Sequence, residues 1–149
     1  MKTHHKNWLP MTALLLLSLS ACKKADEVKP APFMDQPVPV AELGKLLTSG
    51  TFVSNVHGTS GMAKVYDNAG KKTLVFENFK TDNGPDLRVY LAKDQSASSF
   101  REVGRLKAVS GNFSYGIAST IDTGQYPFVL VWCEDFAVLF GNAELKTPM

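Results

Sequence analysis

The sequence predicts an all-β domain, a β-sandwich or small barrel of about eight short, mostly antiparallel strands. After Leu47 the chain is a series of short runs rich in valine, threonine and aromatic residues, which is the composition of strands. Turn residues separate the runs, as in Asp67-Asn68-Ala69-Gly70 and Asp82-Asn83-Gly84-Pro85, because glycine and asparagine adopt positive φ at low cost. No long amphipathic helical pattern occurs in this region.

The elements follow in order along the chain. A short helical turn is expected within Ala41–Leu47, weakened by Gly44 because glycine is a poor helix former. A turn is also expected at Ser110-Gly111-Asn112. The predicted strands are Thr51–His57, Met62–Tyr66, Lys72–Phe79, Leu87–Ala92, Gly104–Val109, Phe113–Ile117, Phe128–Cys133 and Ala137–Phe140.

The apolar patterns of two of these strands predict how far each strand is buried. Phe128–Cys133 is apolar at every position, so both faces must be covered and the strand is expected in the middle of the sheet. Leu87–Leu91 alternates more clearly and is predicted to be half-buried, with Arg88 solvated on its outer face. Met62 is expected in the core.

The N-terminus has the pattern of a targeting signal. Lys2 and Lys6 precede an apolar run that ends at Leu19-Ser20-Ala21-Cys22, and this pattern predicts a signal peptide over residues 1–21. The run is too short to span a bilayer. Its end resembles the bacterial lipobox, so Cys22 is expected to carry a lipid that holds the protein on a membrane. Lys23 favours the outer membrane, with periplasmic and surface exposure both left open.

Residues 22–42 are expected to form a tether and residues 43–149 the β domain. The tether contains four prolines, which favour an extended, semi-rigid chain.

Charge and composition exclude several classes of function. The 16 basic and 14 acidic residues balance once the signal peptide, with Lys2 and Lys6, is removed, so nothing indicates binding to nucleic acid. Two cysteines exclude a disulfide-rich scaffold and a four-cysteine metal site. The motifs of nucleophilic hydrolases and of phosphate-binding loops are missing. The sequence therefore supplies no catalytic residue and no metal site, and it favours a protein that is not an enzyme.

Five short segments carry glycine, proline and aromatic motifs that together resemble a known family, the DM-thirteen domain. They are Gly50-Thr51-Phe52, His57-Gly58-Thr59-Ser60-Gly61, Asn78-Phe79 with Gly84-Pro85-Asp86-Leu87-Arg88-Val89-Tyr90-Leu91, Tyr115-Gly116-Ile117, and Val131-Trp132-Cys133 through Phe140-Gly141-Asn142-Ala143. The resemblance spans Leu47 to Leu145. It implies an extracytoplasmic electron-transfer domain, with Cys133 as a redox thiol or as a ligand to a prosthetic group such as haem.

Cys133 and His57 are the candidate site residues. Once Cys22 is lipidated, Cys133 is the only thiol, and it either cycles through sulfenic acid or a mixed disulfide, binds iron as a thiolate, or packs as a small hydrophobe. The neighbouring Glu134 and Asp135 disfavour the reactive thiolate. His57 is either a ligand to a metal or haem, with Cys133 as its partner if their strands meet, or an inert, hydrogen-bonded histidine at a strand end. Covalent c-type haem is excluded because its Cys-x-x-Cys-His motif is absent.

Two functions therefore stay open. The first is a lipid-anchored envelope protein that transfers electrons through Cys133 and meets a redox or cell-surface protein partner. The alternative is an anchored, non-enzymatic binding module for a protein or glycan, in which Cys133 is structural.

Overall fold

The computed structural model describes residues 40–149, which contain one helical turn and eight strands. The turn α1 spans Val40–Leu43 and ends at Gly44, whose φ of 76° is a left-handed conformation that glycine adopts readily. The strands are β1 Lys45–Ser54, β2 Thr59–Asn68, β3 Lys71–Thr81, β4 Leu87–Ala92, β5 Phe100–Arg105, β6 Ser110–Ile117, β7 Phe128–Cys133 and β8 Val138–Glu144.

The predicted signal peptide, the predicted lipid site at Cys22 and the tether up to residue 39 lie outside the described residues. Within residues 40–149, no helix has the length and apolar character that crossing a membrane requires.

All eight strands form one antiparallel sheet in the order β5-β4-β7-β8-β1-β2-β3-β6. The all-β prediction is confirmed, and the sheet curls into a nearly closed barrel. Tyr115 joins the two end strands. Its hydroxyl accepts a hydrogen bond from the Lys107 backbone N–H at 2.9 Å and donates one to the Arg105 carbonyl at 3.1 Å.

The bounds of β4 and β7 are those predicted, whereas β5 lies earlier than its predicted range of Gly104–Val109. As an end strand, β5 is mostly exposed, so it lacks the apolar run that marks a buried strand. Ser110-Gly111-Asn112, predicted to be a turn, is instead the start of β6.

The sheet buries side chains on both faces. The inner face encloses the main core, which includes Phe52, Phe76, Val131 and Cys133. A smaller cluster on the outer face consists of Tyr90, Ala92, Leu130 and Leu139, with Ala97, Phe128 and Trp132 packed against it. The predicted central position of β7 is therefore confirmed.

Three predictions about exposure were wrong. β4 is buried on both faces rather than half-buried, because Phe100 stacks on Tyr90 with ring centroids 4.1 Å apart and Ala97 packs beside them. Arg88 is not a free solvated cation, since it pairs with two carboxylates described below. Met62 is 36% exposed rather than in the core.

Candidate functional site

Three connections meet at one end of the barrel. The backbone N–H groups of Asn55 and Val56 donate to the carbonyls of Phe140 and Leu139 on β8, at 2.9 and 3.2 Å. The Glu134 N–H, after β7, donates to the Asp86 carbonyl, before β4, at 3.0 Å. We call this region, residues 55–58, 82–86 and 134–137, the motif end. It gathers parts of three segments that carried the family resemblance.

Cys133 lies at the motif end as the last residue of β7. Its free thiol is fully buried, on the inner face with Val129 and Val131. Its backbone is in register with Leu87 on β4 and Val138 on β8. These apolar neighbours fit a packing role, and a reagent reaches the sulfur only when the motif end opens.

His57 lies in the β1–β2 connection and contacts two residues far away in sequence. Its ring stacks on Phe140 with centroids 3.9 Å apart, and its Nδ1 lies 3.2 Å from Oδ2 of Asp82. The Gly58 backbone N–H donates to the same oxygen at 3.2 Å. Asp82 therefore orients His57 and holds two connections together.

The structure places His57 and Cys133 at the same end of the barrel with different partners. His57 contacts Asp82 and Phe140, while Cys133 faces the apolar core. Within residues 40–149, no three His, Cys, Asp or Glu side chains form a group that could hold a metal ion. The sequence did not identify Asp82 as a partner of His57, because 25 positions separate them.

A network of ion pairs fixes the start of β4. Arg88 donates from Nε and Nη2 to the two carboxylate oxygens of Asp86, at 2.7 and 3.0 Å, and from Nη1 to Glu102 at 2.7 Å. Arg105 adds a contact to Asp86 at 3.1 Å. The hydrogen bonds from Arg88 lower the pKa of Asp86, and those to Asp86 and Glu102 raise the pKa of Arg88. The network therefore positions Leu87, the residue between the paired charges and the neighbour of Cys133.

A surface groove of about 250 Å³ borders the same region. Its lining includes Gly84, Pro85 and Leu87. A methyl group on Gly84 would lie 2.9 Å from Leu87 Cδ2 and 3.0 Å from Phe140 Cζ, so a larger residue here would have to push these two side chains aside. Leu87 therefore lines the groove, is in register with Cys133 on the neighbouring strand, and shares the main core with it.

The haem implied by the family resemblance does not fit this arrangement. Cys133 is enclosed by close-packed apolar residues, and His57 already contacts Asp82 and Phe140. The three grooves described on residues 40–149 are lined by other residues.

Comparison with known proteins gives one match. The family model described as "Electron transfer DM13" matches residues 51–145, a range that covers more than half of the chain and contains both Cys133 and His57. A search of the curated proteins and a search of the solved structures each found no match.

Proposed function

Because the chain belongs to the DM13 electron-transfer family, we propose that it carries electrons in the cell envelope, with Cys133 as its redox centre and Cys22 as its lipid anchor. The family match agrees with the DM-thirteen resemblance read from the five segments. It supports a redox role for the domain.

The position of Cys133 supports its choice as the redox centre. The β domain contains no other cysteine, and this thiol lies where three family segments meet. Thiols are the side chains that exchange electrons most readily without a bound cofactor. A thiol centre also requires no haem, which does not fit the surroundings of Cys133 and His57.

A peroxide and a dithiol protein are sufficient partners for the proposed chemistry. The Cys133 sulfur attacks one peroxide oxygen and the O–O bond breaks, so that sulfur loses two electrons, sulfenic acid forms and an alcohol or water leaves. A partner dithiol then restores the thiol, releases water and becomes a disulfide. Because the Cys133 thiol is fully buried, we expect slow oxidation.

The test uses the full chain with Cys22→Ser, so that Cys133 is the only thiol. After peroxide treatment, a sulfenic-acid probe should add once per chain at Cys133, faster in low urea that opens the motif end. A dithiol should prevent the labelling. The matched control, Cys22→Ser with Cys133→Ser, should take no probe. If the folded chain stays unlabelled at every peroxide concentration it survives, Cys133 is a packing residue and this redox centre is wrong.

We place the electron partner at the motif end as well. Phe136 and Val56 are 69% and 62% exposed there, and the exposed Glu134 and Asp135 adjoin Phe136. A protein with an apolar centre and basic rim fits this surface, since opposite charges steer association. Phe136→Ser should slow electron exchange with such a partner and leave peroxide labelling of Cys133 unchanged. Equal slowing of both reactions would contradict this docking surface.

The lipid anchor rests on the sequence of residues 19–22 alone. Cells fed labelled palmitate should incorporate it into the wild-type chain and not into Cys22→Ala. The wild type should sediment with outer-membrane fractions. Protease added to intact cells then separates surface exposure, where the β domain is cleaved, from the periplasmic side, where it is protected. An unlabelled wild-type chain would refute the anchor.

A further inference from the structure

A polar groove crosses the outer face of the sheet over β1, β2 and β8. Its volume is about 510 Å³, which lies in the range of small-ligand clefts. Six of its lining residues carry uncharged hydrogen-bonding side chains, namely Ser49, Thr51, Ser54, Asn55, Gln95 and Asn142. Cys133 does not line the groove, which borders the motif end at Asn55, so the electron-transfer proposal does not use it.

Asn142 shows that this groove is more than a gap between side chains. The residue is only 6% exposed, and within residues 40–149 its side-chain amide makes no hydrogen bond. It is in register with Leu130 on β7 and Val53 on β1. Its amide atoms are not among the fully enclosed polar atoms that lack a partner, so they open into the groove, where they can donate to and accept from a ligand. A ligand that completes the hydrogen bonds of the amide accounts for its presence.

The side chains around Asn142 indicate which chemical groups that ligand carries. Glu144 and Lys146 at the rim pair with each other at 3.1 Å, so the groove offers no free charge to a phosphate or an ammonium group. Val53 and Met62 supply only a small apolar part. The remaining lining consists mainly of hydroxyl and amide groups, which both donate and accept hydrogen bonds.

The sheet also rules out one form of peptide binding. β1, β2 and β8 are interior strands of the sheet, so none of them offers a whole free edge to an added peptide strand. Recognition is therefore expected mainly from side chains.

We propose that this groove binds a neutral saccharide, with the Asn142 amide donating to and accepting from ligand hydroxyls. Val53 and Met62 contact the C–H face of the sugar. The domain then has two sites, a buried thiol at the motif end and a saccharide groove on the outer face of the sheet that borders the motif end at Asn55.

The test is a titration of the ¹⁵N-labelled full chain, carrying Cys22→Ser, with millimolar glucose, N-acetylglucosamine or maltose. At least one sugar should move the Asn142 side-chain NH₂ peaks and the Thr51 and Gln95 amide peaks. Tetraglycine serves as the peptide probe. If no sugar moves the Asn142 peaks, or if tetraglycine moves them and the sugars do not, the proposal is overturned.

Asn142→Leu separates ligand binding from folding. It should weaken saccharide affinity about tenfold or more, as expected for lost hydrogen bonds, while the melting temperature without sugar stays equal or rises. The control is Asn112→Ala, which removes the acceptor of the Asn78 backbone N–H at 2.6 Å and lies outside the groove lining. It should lower the melting temperature and leave sugar binding intact. Unchanged sugar affinity in Asn142→Leu would also overturn the proposal.

Discussion

The hydroxyl of Tyr115 on β6 donates a hydrogen bond to the backbone carbonyl of Arg105 on β5 at 3.1 Å, so one side chain joins the two end strands of the sheet. The Lys107 backbone N–H completes the junction by donating to the same hydroxyl. The Tyr115 hydroxyl thus links the two end strands at a place where a closed sheet would link them by backbone hydrogen bonds.

Tyr115→Phe should therefore loosen the junction. The Arg105 carbonyl and the Lys107 N–H lose their partner, so the free energy of unfolding should fall by about 1–2 kcal/mol, measured by urea denaturation. The control is Tyr126→Phe, whose hydroxyl makes no hydrogen bond in the described part of the chain. An equal loss in both variants would mean that the Tyr115 bridge has no special weight.

Tyr90→Phe should have the opposite effect. The Tyr90 side chain is fully buried, and its hydroxyl has no hydrogen-bond partner among the described residues. Removing the hydroxyl eliminates a buried polar group that has no partner, while the ring stays stacked on Phe100. The free energy of unfolding should therefore rise by roughly 1 kcal/mol. The same urea measurement tests this, and a clear loss of stability would show that the hydroxyl has a partner after all.

Gly84→Ala should disturb the motif end. The added methyl group lies closer to the side chains of Leu87 and Phe140 than van der Waals contact allows. Overpacking of this kind lowers the free energy of unfolding by about 1–3 kcal/mol. Because Leu87 is in register with Cys133, probe labelling of the thiol should also accelerate. Gly116→Ala is the matched control, since no heavy atom lies within 4 Å of its added methyl group. Slow labelling in both variants would show that Leu87 does not gate the thiol.

Asp86 should make stability depend on pH in the acid range. The Arg88 hydrogen bonds hold the folded-state pKa of Asp86 below its ordinary value of 3.8, so the unfolded chain binds this proton more readily than the folded one. The stabilisation is complete above 3.8 and is lost as the pH falls through the lowered folded-state pKa. Asp86→Asn should show a shallower acid decline in urea titrations, whereas the exposed Asp135→Asn should keep the wild-type profile. A wild-type profile in Asp86→Asn would contradict this role.

The sequence determined the elements whose signals are local. β4 and β7 were predicted with their observed bounds, and β7 was predicted to be central, because turn residues and apolar runs are properties of neighbouring positions. The motifs around Cys133 were also sufficient for the family. The prediction of a helical turn within Ala41–Leu47 was only partly right, because the turn ends at Leu43 and residues 45–47 belong to β1.

Tertiary structure alone decided which side chains meet. The outer face of β4 is covered because Phe100 stacks on Tyr90. Arg88 pairs with Glu102, which is 14 positions away in the sequence. His57 is oriented by Asp82. The unpaired amide of Asn142 is likewise visible only once β1 and β7 flank β8. Hydrogen bonds and burial act between atoms that the folded backbone brings together. The sequence pattern therefore determined the strands with strong local signals, whereas the bounds of β5 and the start of β6, and the contacts of the site, depended on the curled sheet.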